Sequence, residues 1–134
     1  MELSKEDMFS ESQQTAASAT ASTNVLDFHK HGDDVLNMLY WSVLVTAATN
    51  GSALTIAWET SDTEAFSSAT TLWTKTVAAT GLTLGAEPVK NEALPKGLKR
   101  YNRLKYTGEA SKTAYPKVTA FIHAGRDEGT PYRG

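Results

Sequence analysis

The 134-residue sequence contains no cysteine. That excludes a disulfide framework and every zinc site built on thiolates. Long apolar runs are also missing. The longest, LYWSVLV at 39–45, falls far short of the roughly 20 residues a membrane-spanning helix requires. No charge of one sign dominates: 13 Lys and Arg stand against 15 Asp and Glu, for a net charge of −2. Such a chain is no polycation, so neither nucleic acid nor a membrane is an expected partner. The opening MELSKEDMF is acidic and leads into no apolar segment, which reads as the lack of a secretory signal. The protein is expected to stay in the cytoplasm where it is made, or to leave only as part of something larger. Helical periodicity is absent as well, since no segment places apolar residues at a convincing spacing of 3.6.

What remains is strand-like. The length suits one domain able to bury roughly two-thirds of its unfolded surface. Residues 1–20 read as a polar N-terminal arm with apolar studs at Leu3, Met8 and Phe9, and residues 21–134 as a single domain. Studs of this kind dock on the arm's own sheet, a sister subunit or a partner. STNVLDF, Ser22 to Phe28, is expected as a short strand and HKHGDD as a turn. MLYWSVLVTAA, Met38 to Ala48, is the strongest strand, with Leu39, Trp41, Val43 and Val45 on one face. Asn50-Gly51 is a hairpin signal leading into SALTIAWET, where Leu54, Ile56 and Trp58 share a face. A loop anchored by Phe66 precedes TTLWTKTVAA. EPVKNEAL is a weaker strand that Pro88 assigns to an edge or a strand start. LKRYNRLKY and KVTAFIHAG complete the set. The pattern predicts an all-β fold, a jelly-roll-like β-sandwich of seven antiparallel strands, or eight if the arm pairs.

The stretch LPKGLKRYNRLKYTG, Leu94 to Gly108, holds five of the 13 basic residues. On a strand, Lys99, Tyr101, Arg103 and Lys105 share one face, and Leu98, Arg100, Asn102, Leu104 and Tyr106 the other. The second is the core side by its apolar ends, which makes Arg100 and Asn102 unexpected there. A buried arginine needs a carboxylate or several carbonyl partners. Two readings stay open: charges at a solvated sheet edge that deter aggregation, or a face covered by another molecule.

Catalytic and metal patterns are thin. His29 and His31 could share an ion on a strand, as in the jelly-roll metal proteins called cupins. The cupin pattern then wants a Glu where Val35 and Leu36 stand, and a His where Arg100 stands, and arginine cannot ligate a cation. There is no Gly-x-Ser-x-Gly elbow and no phosphate-binding glycine loop. His123 reads as a packing histidine. No catalytic residue, metal or cofactor is therefore expected. Trp41 and Trp58 read as core. Trp73, flanked by threonines, is the best candidate for exposure, as a protein anchor or a sugar platform. A carbohydrate-binding β-sandwich module and, behind it, a cupin-like metal protein stand as alternatives.

Four stretches in order, FSESQQTAASATASTNVLDF, ALTIAWETSDTEAFSSATTLW, LPKGLKRYNRLKYT and KVTAFI with the terminal PYRG, resemble the jelly-roll capsid cement (decoration) proteins of tailed bacteriophages, of the type described for a Bordetella phage. The resemblance covers nearly the whole chain. HKHGDD stands in place of a Gly-rich acidic loop, and the tail HAGRDEGTPYRG is more charged than the pattern. The resemblance implies a structural, non-enzymatic virion protein on the outer capsid surface, made in the host cytoplasm. Its partners would be the major capsid protein and itself, as a homodimer or homotrimer. The implied capsid or inter-subunit contacts are Leu3, Met8, Phe9, Trp73, Lys99, Arg100, Tyr101, Arg103, Lys105, Arg126 and Tyr132. On that reading Arg103→Glu should abolish decoration and leave the free protein folded.

Overall fold

A computed structural model describes residues 8–28, 39–49 and 51–123. Among the described residues nine strands run in chain order: β1 (Met8–Gln14), β2 (Thr20–Ala21), β3 (Leu26–Asp27), β4 (Tyr40–Ala47), β5 (Leu54–Ser61), β6 (Thr70–Val77), β7 (Val89–Ala93), β8 (Tyr101–Gly108) and β9 (Lys117–His123). One sheet has the order β1-β9-β4-β7; the other runs β2-β8-β5-β6, with β3 also on β8. The expected strand at Ser22–Phe28 is reduced to the stub β3, and a second stub, β2, lies just before that span; both share β8 as partner. Taken as one interrupted strand they bring the count to eight, and the arm's second half supplies the first of them. The pairs β1·β9, β2/β3·β8, β4·β7 and β5·β6 are the rungs of one long antiparallel ribbon folded over on itself. That winding is a jelly roll, and the β9·β4 and β8·β5 pairings hold it closed.

One expectation fails on this topology. β4 and β5 lie in opposite sheets, so Asn50-Gly51 does not close a hairpin. Gly51 does take a positive φ of 85°, but it serves an arch between layers. Thr49 Oγ1 fastens the arch by donating to Ser52 O and accepting from Ser52 N–H. The Pro88 expectation holds: β7 is the outer strand of its sheet.

Alternation builds the core. Trp41, Val43 and Val45 of β4, Leu54, Ile56 and Trp58 of β5, Leu104 and Tyr106 of β8, and Val118, Ala120 and Ile122 of β9 all point between the sheets and are buried. Each large apolar side chain so buried contributes about 1.5–3 kcal/mol. Aromatic rings occupy the centre edge to face: Trp58 meets Phe9 at 5.0 Å and Trp41 at 5.1 Å, and Trp41 meets Trp73 at 4.7 Å. Asn102 is fully buried at this cluster because its polar atoms are matched. Trp58 Nε1 donates to Asn102 Oδ1 at 3.0 Å, and Asn102 Nδ2 donates to Lys99 O at 3.0 Å.

Every sheet edge is blunted. β1 has two register shifts, β2 and β3 are two-residue stubs, and β7 follows a proline. β6 slips register between Trp73 and Thr71, and its Lys75 reaches across the sandwich to donate to Pro88 O at 3.1 Å. Bulges, short strands and inward lysines are the features that discourage edge-to-edge pairing.

Candidate functional site

The fold pairs much of the basic ribbon with carboxylates of the same chain. β8 begins at Tyr101, with Asn102, Leu104 and Tyr106 inward and Tyr101, Arg103 and Lys105 outward. β5 runs beside it in the register Glu59↔Arg103 and Ala57↔Lys105, which sets the Glu59 carboxylate among the cations. Arg103 Nε donates to Glu59 Oε1 at 2.8 Å, and Lys105 Nζ lies 3.4 Å from Glu59 Oε2. The Glu59 side chain is 10% exposed and that of Arg103 21%, so water screens this pair only in part.

The loop after β5 folds back over the cluster. Phe66 is buried, and its ring lies 4.2 Å beneath the Arg103 guanidinium. Phe66 holds a φ of 55°, uncommon for a bulky side chain, and the turn is tied by its N–H donating to Thr63 O. Lys99 lies 3.6 Å from Asp62 of the same loop. Arg100 sits just before β8 and is exposed; it grips Asp27 with two bonds of 2.9 and 3.0 Å. The Asp27 carboxylate raises its guanidinium pKa further. Arg100 is therefore not a buried arginine, while Asn102, two residues on, is buried as its face predicts.

These contacts bear on several sequence expectations. Lys99, Arg100, Arg103 and Lys105 already have carboxylates in their own chain, because strand register brings Glu59, Asp62 and Asp27 to them. Tyr101 stays half-buried, with Arg100 5.0 Å from its ring. Arg103→Glu would set two carboxylates side by side, so the variant is expected to be less stable than the wild type. Trp73 is no outward platform: it pairs across from inward-facing Trp58, and the slip at Leu72 turns both Leu72 and Trp73 toward the core. Phe9 is fully buried in its own core, and so is not free to anchor on a neighbour. Met8 is buried as well. Leu3, Arg126, Tyr132, His29 and His31 lie outside the described residues.

The arm is stapled by polar groups that the sequence reading left unassigned. Ser10 Oγ donates to Gln13 Oε1 at 2.6 Å and accepts from the Tyr106 hydroxyl at 2.8 Å. Gln13 Oε1 also accepts from Thr23 N–H, and Gln13 Nε2 donates to Ala21 O. Thr15 Oγ1 donates to Pro116 O. These bonds tie β1 to the β2 segment and to β8 across the sandwich. Burial pushes the Tyr106 phenol pKa well up. Ser10, Gln13, Ser22, Asn24, Arg100 and Arg103 are all engaged in such internal contacts.

His123 is buried, with Nε2 2.9 Å from Ser42 Oγ, and Ser42 itself is fully buried. Among the described residues no group of three or more His, Asp or Glu gathers in a way that could hold a metal ion. A depression of about 180 Å³ opens between β1 and the segment before β3, lined among the described residues by Met8, Glu11, Thr23 and Asn24.

The family model Bbp16 matches residues 9–122, from the buried Phe9 of β1 through Ile122 of β9. The chain belongs to the Bbp16 family, a phage-associated one. No curated protein matches it.

Proposed function

Proceeding from that membership, we propose that the protein is a structural virion component that binds the outer surface of a phage capsid and bridges major capsid protein subunits. It would carry out no reaction. The observation that carries this reading is the family match across the whole sandwich, β1 to β9. The closed jelly roll with blunted edges supports it, since such a body is a rigid clamp whose contacts are made through loops, ends and faces rather than by adding a strand. A protein that binds only the assembled lattice stabilises it by mass action, and contact with several subunits at once adds avidity. Decoration as a dimer or trimer, the occupied symmetry axis and a place on mature virions belong to this proposal.

The inward turn of Trp73 removes the strongest motive for a sugar-stacking platform. Arg100, at the position where a cupin places a ligand, is committed to Asp27. The test is imaging and sedimentation of purified expanded heads with and without the full chain. Saturable, symmetric occupancy that raises the temperature of head disruption is expected. Heads that bind none of it at micromolar concentration would sink the proposal.

A further inference from the structure

The depression beside β1 carries a second step. β1 advances from Ser10 to Gln13 while its partner β9 moves only from Ala120 to Val118, so β1 bulges at Glu11-Ser12. Ser12 takes a φ of 47°, and its N–H donates to Thr119 Oγ1 at 2.9 Å. The bulge lets Gln13 turn toward Ser10 and Thr23, and it leaves Glu11 on the rim of the depression. The walls are fixed by the backbone. Asn24 N–H donates to Phe9 O at 2.9 Å, and Asn24 Nδ2 donates to Met8 O at 3.0 Å. Met8 supplies the apolar part of the lining, and Val25, one of the two large apolar residues left exposed among the described residues, follows directly on the wall segment.

Glu11 has no hydrogen bond or ion pair among the described residues, in contrast to Glu59, Asp62 and Asp27. A preformed hollow of about 180 Å³ is too small for an ordinary metabolite site of roughly 300 Å³ or more. It suits a single long side chain. A mixed lining, with the Met8 side chain against polar Thr23 and Asn24 and a carboxylate unpaired among the described residues at the mouth, matches a side chain with an aliphatic stem and a cationic head. We propose that this hollow receives one lysine or arginine side chain of a protein partner, with Glu11 as its counter-ion. Whose side chain it is rests on the capsid reading above; the hollow itself does not.

The test has two arms on the full chain. In the first, butylguanidinium chloride is titrated while the Met8 methyl and the Thr23 and Asn24 amides are followed by NMR, with pentanol as the uncharged probe. Saturable shifts with a Kd on the order of 10 mM are expected for so small a ligand. Glu11→Gln should weaken binding about two- to fivefold, the range of an exposed charge pair. No shifts at these groups, equal binding of pentanol, or indifference to Glu11→Gln overturns the proposal. In the second arm, Glu11→Lys is checked for an unchanged melting temperature and added to purified heads, where occupancy should fall more than tenfold. Unchanged occupancy overturns the assignment of the partner. Heads that fail to bind even the wild-type chain refute the capsid reading instead, and the probe arm alone then decides the hollow.

Discussion

Arg103→Glu places the two accounts of the basic ribbon in direct opposition. If Arg103 waited for a partner, the variant would fold normally. In the structure it replaces a cation 2.8 Å from Glu59 with a second carboxylate on a face that is mostly dry. Breaking a fully buried pair costs about 3–5 kcal/mol. This pair keeps some exposure, and Lys105 remains 3.4 Å away as a second cation, so a value of about 2 kcal/mol is reasonable for loss of the pairing. Loss of the guanidinium over Phe66 adds about 0.5–1 kcal/mol. The total, about 3 kcal/mol, corresponds to a drop in Tm of roughly 10 °C for a domain of this size. Urea unfolding of wild type, Arg103→Ala, Glu59→Ala and the double variant gives the pairwise coupling, expected at about 1–2 kcal/mol. A coupling near zero, with Arg103→Glu as stable as wild type, would refute the pairing and return Arg103 to the list of partner contacts.

Three further outcomes follow from the packing. Phe9→Ala should cost about 3–5 kcal/mol in urea unfolding, because the ring fills the core against Trp58; a loss below 1 kcal/mol would restore Phe9 as an anchor for a neighbour. Gly108→Ala should destabilise by about 1–3 kcal/mol, since its Cβ would lie 2.9 Å from Ala16 O and 2.7 Å from the Tyr115 ring; an unchanged Tm would mean the site relaxes freely. Tyr106 has a folded-state pKa raised by burial, so its stabilising effect is complete below the ordinary tyrosine pKa of about 10 and is lost as pH rises above it. Stability should fall by up to about 1.4 kcal/mol per pH unit from this group, and Tyr106→Phe should remove that part of the slope; an identical alkaline slope in the variant would refute it.

The sequence alone was enough for the class of fold. Strand periodicity depends on side chains i and i+2 sharing a face, which is a local property, so the inward sets Trp41/Val43/Val45 and Leu54/Ile56/Trp58 could be read directly, as could Pro88 on an edge. Two-residue periodicity carries no information about which strands become neighbours. Only the tertiary structure put β4 and β5 in opposite sheets, and so made their connection an arch rather than a hairpin. Only the register of β5 on β8 brought Glu59 to Arg103, 44 positions apart, and converted an apparently open basic ribbon into a closed ion cluster. The bulge at Leu72 turned Trp73 inward, and the bulge at Glu11-Ser12 set a carboxylate beside a hollow. An extra residue in a strand leaves no mark on composition or charge. It is resolved by long-range packing, where the burial of Phe9 and Trp58 outweighs the regularity of a single strand.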